Sequence, residues 1–420
     1  MSTEFAQKLQ TYADLIVKVG LNIQPGQRLV LGNIMNFGVN IQTAPLVREI
    51  AKAAYKVGAR FVNVMWGDEE LQLIRLQHAP RDSFAEYPTW QVSGTVEYLE
   101  REDALLGIVG NDPDLLKGQD PELVGMMQQT ATGYFQPILS YTSRMAVNWS
   151  VAAAAVPSWA AKVFPDLAPE EQMSSLWEAI FAACRVNQAD PIAAWQEHID
   201  QLVARGDYLN HKRYTALNYR APGTDLTVGL PTAHRWQGSG RVTSENGIAF
   251  TPNMPTEEVF SLPHKEQTEG VVTASKPLDY GGTLIEDFSL TFAGGRVVQV
   301  AARKGEALLR KLVESDEGAG RLGEVALVPH SSPIAHSALL FYNTLFDENA
   351  ASHLALGQAY KLSLVGSEGM ADDEFAAAGG NQSMIHVDFM IGSAAMAVDG
   401  VTDDGALEPI MRSGEWAFDL

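Results

Sequence analysis

The sequence predicts a mixed α and β protein, an N-terminal doubly wound α/β domain followed by a C-terminal α+β domain rich in antiparallel strands. Three observations lead there. Between residues 26 and 145, short apolar runs alternate with longer stretches of helical periodicity, the pattern of βαβ units around a mostly parallel sheet. Beyond Gly206, glycine and proline become frequent and short alternating segments take over, as in antiparallel hairpins. The 420 residues are also too many for a single core, so two domains are expected, 1–210 and 211–420, with the break near 205–222.

Taken in order, strands are expected at 28–31, 60–65 and 104–109, and helices at 43–57 and 121–139. Neither GxGxxG nor GxxxxGK[ST] follows any of these strands, so the first domain reads as a doubly wound scaffold without a phosphate-binding loop. A further strand at 146–154 leads through Pro157-Ser158-Trp159-Ala160 to helices at 169–186 and 191–205. In the second domain, strands are expected at 225–228, 271–274, 284–292 and 297–302, with turns at Gly281-Gly282 and Gly294-Gly295. One helix, 305–314, interrupts them and is expected to cover a sheet face.

Composition narrows the function classes. The hydrophobic fraction, 46 %, is that of an ordinary globular protein, and no run of about 18 apolar residues is present. The N-terminal stretch MSTEFAQKLQTYADL is polar and amphipathic, without a basic region leading into an apolar core, so a cytoplasmic protein with no export signal is expected. The single cysteine, Cys184, forms no internal disulfide and cannot build a thiolate zinc cage. Any metal site must therefore use oxygen and imidazole. The net charge of −21 argues against nucleic acid, whose phosphates it would repel. It serves solubility, and it suits a cationic substrate such as a peptide amino terminus.

The last third carries the chemistry. Glu258, Glu324, His353, Tyr360, His386 and Asp388 stand in order in the contexts PTEEVF (255–260), GEVALVP (323–329), FDENAASHLALGQAY (346–360) and HVDF (386–389). In HVDF the histidine and aspartate are two apart, so a strand turns both to one face as a bidentate offering to a metal. Glu324 lies in a run of small and apolar residues where a strand would put it on the same face as Leu322 and Ala326, a place where a carboxylate needs a partner. Together the six read as a two-metal hydrolytic site. Singly, each has another reading: Glu258 as a helix cap, Glu324 as the partner of a lysine or arginine, His353 as a buried, hydrogen-bonded histidine.

The ordered set PTEEVF, LGEVALVP, FYNTLFDENAASHLALGQAY and HVDF resembles the aminopeptidase T / aminopeptidase S family of metallopeptidases. The likeness covers essentially the whole chain, strongest over 253–393 and looser in the N-terminal half, at GLNIQPGQ and 157–160. It implies a homodimer of two-domain chains that removes N-terminal amino acids with two adjacent divalent metals. By motif it makes Glu258, Glu324, His353, Tyr360, His386 and Asp388 the ligands.

Those residue types suit that chemistry. Two divalent ions about 3.5–4 Å apart need a carboxylate that can bridge them and a position left for water, whose pKa they lower. Glu324 and Asp388 are the better candidates for bridging. Zinc, cobalt and manganese all suit such ligands, and magnesium is admitted. By analogy with other dinuclear aminopeptidases, Glu257 would serve as general base; alternatively it faces away, since neighbours in a strand point to opposite faces. His264, His330 and His336 match no ligand position and read as structural histidines or substrate contacts, and Trp236 and Phe260 as candidates to line a pocket. Two other functions compete: a dinuclear hydrolase of another amide, and a non-catalytic binding protein whose metals serve structure. Peptides with a free N-terminus are the expected partners, with neither nucleic acid nor membrane.

Overall fold

The computed structural model describes residues 2–32, 38–280, 283–367 and 369–420. The chain forms two compact units, Met1–His198 with Gly240–Pro255, and Ile199–Ser239 with Thr256–Leu420. The turn expected at Gly281-Gly282 lies outside the described residues, whereas Gly294 and Gly295 have the positive φ of a hairpin turn, 56° and 74°.

The first unit is built on a parallel sheet. Its strands run in the order Asn253–Met254, Trp149–Ala153, Ala104–Val109, Arg28–Gly32, Phe61–Val64. From Arg28–Gly32 the chain first adds a strand on one side and then continues on the other, the doubly wound order. The central strands are apolar throughout: Leu29, Val30, Leu31, Leu105, Leu106 and Ile108 are buried, as a sheet covered on both faces requires. Helix Ala44–Lys56 buries Leu46, Val47, Ile50, Ala53 and Ala54, a stripe at helical spacing. Pro121, Pro157 and Pro169 each open a helix at its first position, where a missing N–H is harmless. The segment 240–255 belongs to this unit because Asn253–Met254 pairs with Val151 and Ala152. The single break expected at 205–222 contains no such excursion.

Helix Pro191–Lys212 runs through Gly206, where the sequence suggested a break. A Cβ at Gly206 would stand 3.2 Å from the backbone nitrogen of Gly238, so this glycine serves close packing.

The second unit contains, among the described residues, a nine-stranded antiparallel sheet and a five-stranded one. The larger includes Thr224–Gly229, Thr268–Thr273, Thr283–Ala293 and Arg296–Lys304, at the expected places. Helix Glu306–Val313 covers the last two of these, burying Leu309, Leu312 and Val313. The smaller sheet runs His386–Met390, His353–Gly357, Leu322–Leu327, Val259–Ser261, Gln237–Gly238, antiparallel throughout.

Candidate metal centre

The five-stranded sheet sorts its residues by face. Across it, Gln237 pairs with Phe260, Phe260 with Ala326, Ala326 with His353 and His353 with Met390. One step along, Glu324 pairs with Ala355 and Ala355 with Asp388, while His386 pairs with Gly357. Paired residues share a face, as do residues two apart. One face therefore carries Glu324, His353, His386 and Asp388, with Glu258 just ahead of its strand. The other carries Val259, Val325, Leu327, Leu354, Leu356 and Phe389, all members of the unit's core.

The alternation holds with one exception. Leu322 belongs to the core, not to the face of Glu324, because the register shifts between Leu322 and Glu324. The bulge sits at Gly323, where a Cβ would meet the carbonyl oxygens of Gly357 and Gln358 at 2.4 Å.

The structure brings five of the six candidate side chains into two overlapping ligand groups, Glu258, Glu324 and His353, and Glu324, His386 and Asp388. His353 Nε2 lies 3.1 Å from Glu258 Oε2 and 3.5 Å from Glu324 Oε1. On the other side His386 Nε2 lies 3.8 Å from Glu324 Oε2 and 3.4 Å from Asp388 Oδ1. The two oxygens of Glu324 thus face different imidazoles. The tautomers follow from the far side of each ring: Nδ1 of His353 donates to the carbonyl of Ala351 at 3.1 Å and Nδ1 of His386 to that of Gln358 at 2.7 Å. Each Nε2 is left aimed into the group, where it donates when protonated and offers its lone pair when the ring is neutral. Tyr360, the sixth candidate, has its ring 4.8 Å from that of His386.

Electrostatically the cluster is short of positive charge. Burial pushes the Glu324 carboxyl up to about 7, against the hydrogen bond from His353 and with repulsion from Glu258. For His386 burial works the other way, yet the carboxylates of Asp388 and Glu324 outweigh it and raise the imidazole to about 10. His353 is raised well above its ordinary value for the same reason, despite its burial. Asp388 is lowered, with the charge of His386 overcoming desolvation. Its Oδ1 is buried and meets His386 Nε2 at 3.4 Å without the geometry of a hydrogen bond. A carboxylate oxygen without a well-formed hydrogen bond, two Nε2 atoms aimed into the group and an excess of buried carboxylates fit divalent cations, which would take the place of the imidazole protons.

Glu348 is a residue that the sequence reading missed. Burial first, and then repulsion from Asp388 and Glu258, raise its carboxyl well above the ordinary range, so it feels the charges of the cluster while standing outside both ligand groups. The signal was in the motif, since FDENAAS holds a glutamate five residues before His353. Glu257 belongs to neither ligand group. It is buried, its backbone N–H donates to Asn349 Oδ1 at 2.7 Å, and its charge acts on Arg205. Asn349, fully buried, also donates to the carbonyl of Leu345 and to Glu348 Oε1, tying the two glutamate segments together. His264, His330 and His336 lie in neither group. Trp236 is part of the core, whereas Phe260 stands on the charged face.

This geometry agrees with kinship. Residues 5–416 match the thermophilic metalloprotease (M29) family. The chain is 49 % identical over 417 residues to Aminopeptidase 2 of Geobacillus stearothermophilus, covering 99 % of this chain and 98 % of the relative. It is 48 % identical over 414 residues to Aminopeptidase AmpS of Bacillus subtilis, covering 99 % of each. The solved structure of wild-type AmpT from Thermus thermophilus superposes with a TM-score of 0.92 at 44 % identity, over 99 % of this chain and 100 % of that one. The protein belongs to the M29 metalloprotease family, and is thus a metal-dependent peptidase.

Proposed function

We propose that the protein is an aminopeptidase that hydrolyses the first peptide bond of peptides with a free N-terminus, using two divalent cations held by Glu258, Glu324, His353, Tyr360, His386 and Asp388. The observation that carries this reading is Glu324, whose two oxygens face two different imidazoles. One carboxylate shared by both ligand groups is what a bridging ligand requires. Such cations, when bound, acidify water and polarise the scissile carbonyl.

The chain's own residues do the rest. The carbonyls of Ala351 and Gln358 fix the two ring planes. Glu257 takes the proton of the attacking water and returns it to the leaving amine. Glu348 is the second candidate for that transfer, favoured by its interaction with Asp388 and Glu258. Zinc, cobalt or manganese suits the oxygen and imidazole donors, and magnesium is admitted.

In this reading the unit with the parallel sheet is the α/β domain and the unit with the charged five-stranded sheet the catalytic one, in place of a single cut at 210, and the protein works as a cytoplasmic homodimer on peptides. A single cysteine, a net charge of −21 and the absence, among the described residues, of a helix long and apolar enough to cross a membrane are in keeping with it.

The test is hydrolysis of leucine p-nitroanilide by the purified protein before chelation, after it, and after return of zinc, cobalt or manganese, with metal content measured on the same samples. Activity that vanishes and returns with about two metals per chain, and that is absent on the N-acetylated substrate, is the expected result. Equal cleavage of the acetylated substrate would point to another amide hydrolase. A metallated protein that cleaves neither would point to a structural metal site.

A further inference from the structure

The charged face of the five-stranded sheet holds one large apolar side chain beside the ligands that is not fully buried. Val259, Val325, Leu327, Leu354, Leu356 and Phe389 all point into the core, each at most 1 % exposed. Phe260 alternates with Val259 onto the opposite face and is half-buried there. Its ring meets that of Tyr360 edge-on, with centroids 6.5 Å apart, and Tyr360 in turn lies 4.8 Å from His386. An aromatic row thus runs from the ligand group to Phe260. The positions between are small: Ala326 pairs directly with Phe260, and Ala355 separates Glu324 from Asp388. Both alanines are fully buried, so the solvent-facing part of this face is the aromatic row itself, with Tyr360 40 % exposed and Phe260 half-buried.

We propose that Phe260 is the wall against which the side chain of the substrate's first residue packs, so that the site selects large apolar first residues over small ones. This rests on the aminopeptidase reading above. Phe260 lies two residues beyond Glu258, which along a strand is about 6.7 Å. With the substrate's amino group and carbonyl held at the ligand group, the first side chain leaves its Cα one bond from both. A leucine reaches a wall at that distance and covers its exposed edge, whereas the methyl of an alanine falls short. Apolar ring surface left in water gains from being covered by an apolar substrate side chain. The two ends of the row then have separate tasks, binding at His386 and Tyr360 and selection at Phe260.

The experiment compares kcat/KM for leucine and alanine p-nitroanilides in the wild type and in Phe260→Ala, with metal content determined for both. The expected result is that the wild type prefers leucine and that the substitution lowers the leucine-to-alanine ratio by about tenfold at unchanged metal content. A fall of both substrates by the same factor, with the ratio preserved, overturns the inference. So does a wild type that cleaves both equally well, although that result leaves the aminopeptidase reading intact. A wild type that cleaves no free-amine anilide refutes the aminopeptidase reading itself, and the inference with it. Should Phe260→Ala lose metal, Phe260→Leu decides by the same ratio: a lowered value supports the wall and an unchanged one removes it.

Discussion

The two five-stranded sheets are built on opposite rules. In the parallel sheet of the first unit, side chains on both faces are apolar, and Leu29, Leu31, Leu105 and Leu106 are buried regardless of direction. In the antiparallel sheet of the second unit, one face is apolar and the other carries carboxylates and imidazoles at nearly the same degree of burial: Glu324 is 5 % and His353 1 % exposed. Burying apolar groups on both faces needs only cover. Burying carboxylates needs compensating charge, since an isolated one costs several kcal/mol. A protein that keeps such a face keeps it for the groups it binds.

The largest test of this contrast is Glu324→Ala. It removes the carboxylate common to both ligand groups, so turnover should be abolished and metal content should fall, by activity assay and elemental analysis of the same sample. Retention of both metals would leave the bridging role without support. Next in size is the proton transfer. Glu257→Gln should keep the metals and lower kcat by about 10²–10⁴-fold. A wild-type rate there, together with a loss of that size in Glu348→Gln, would move the base to Glu348.

On the apolar side, Leu106→Ala should reduce unfolding stability by about 2–5 kcal/mol, measured in denaturant, because it opens a cavity in the parallel sheet. Unchanged stability would mean that burial on both faces of the parallel sheet contributes less than its apolar packing suggests.

The smallest effect concerns the frame around the charged face. Asp316 accepts from the N–H groups of Gly318, Ala319 and Met384 and from the hydroxyl of Ser383, bracing the segment that leads into His386–Met390. Burial opposes its ionisation, but these hydrogen bonds outweigh it and hold the carboxyl below its ordinary 3.8. A depressed carboxylate contributes stability above its unfolded pKa and loses it as pH falls through the folded one. Asp316→Asn should therefore cost about 1–2 kcal/mol near neutrality and flatten the fall of stability below about pH 4. An unchanged acid profile would mean that the brace contributes nothing.

Much of this was legible locally. The strand at Ala104–Val109 has the bounds its apolar run suggests, and the two-residue spacing of His386 and Asp388 gives the shared face expected of a strand. Where the reading stopped short, the reason was contact with another segment. Gly206 looks like a break until the strand beside it shows why a side chain is excluded. Leu322 and Glu324 look like one face until the close approach of Gly357 and Gln358 forces a bulge between them. Trp236 and Phe260 look equivalent until the register sends one into the core and the other to the charged face.

By itself the sequence determined many of the elements, though not the helices Glu69–His78 and Thr89–Leu99 or the strands Ala397–Val401 and Leu407–Arg412, and it determined the supply of ligand types in order, because hydrophobic period and residue chemistry are properties of each segment alone. Only the tertiary structure decided which carboxylate faces two imidazoles, that Glu348 feels the charges of the cluster while Glu257 is tied to Asn349, and which aromatic borders the site. Those depend on the register of four strands whose starts lie up to 127 residues apart, and a shift of one residue in any of them would turn its side chains to the opposite face.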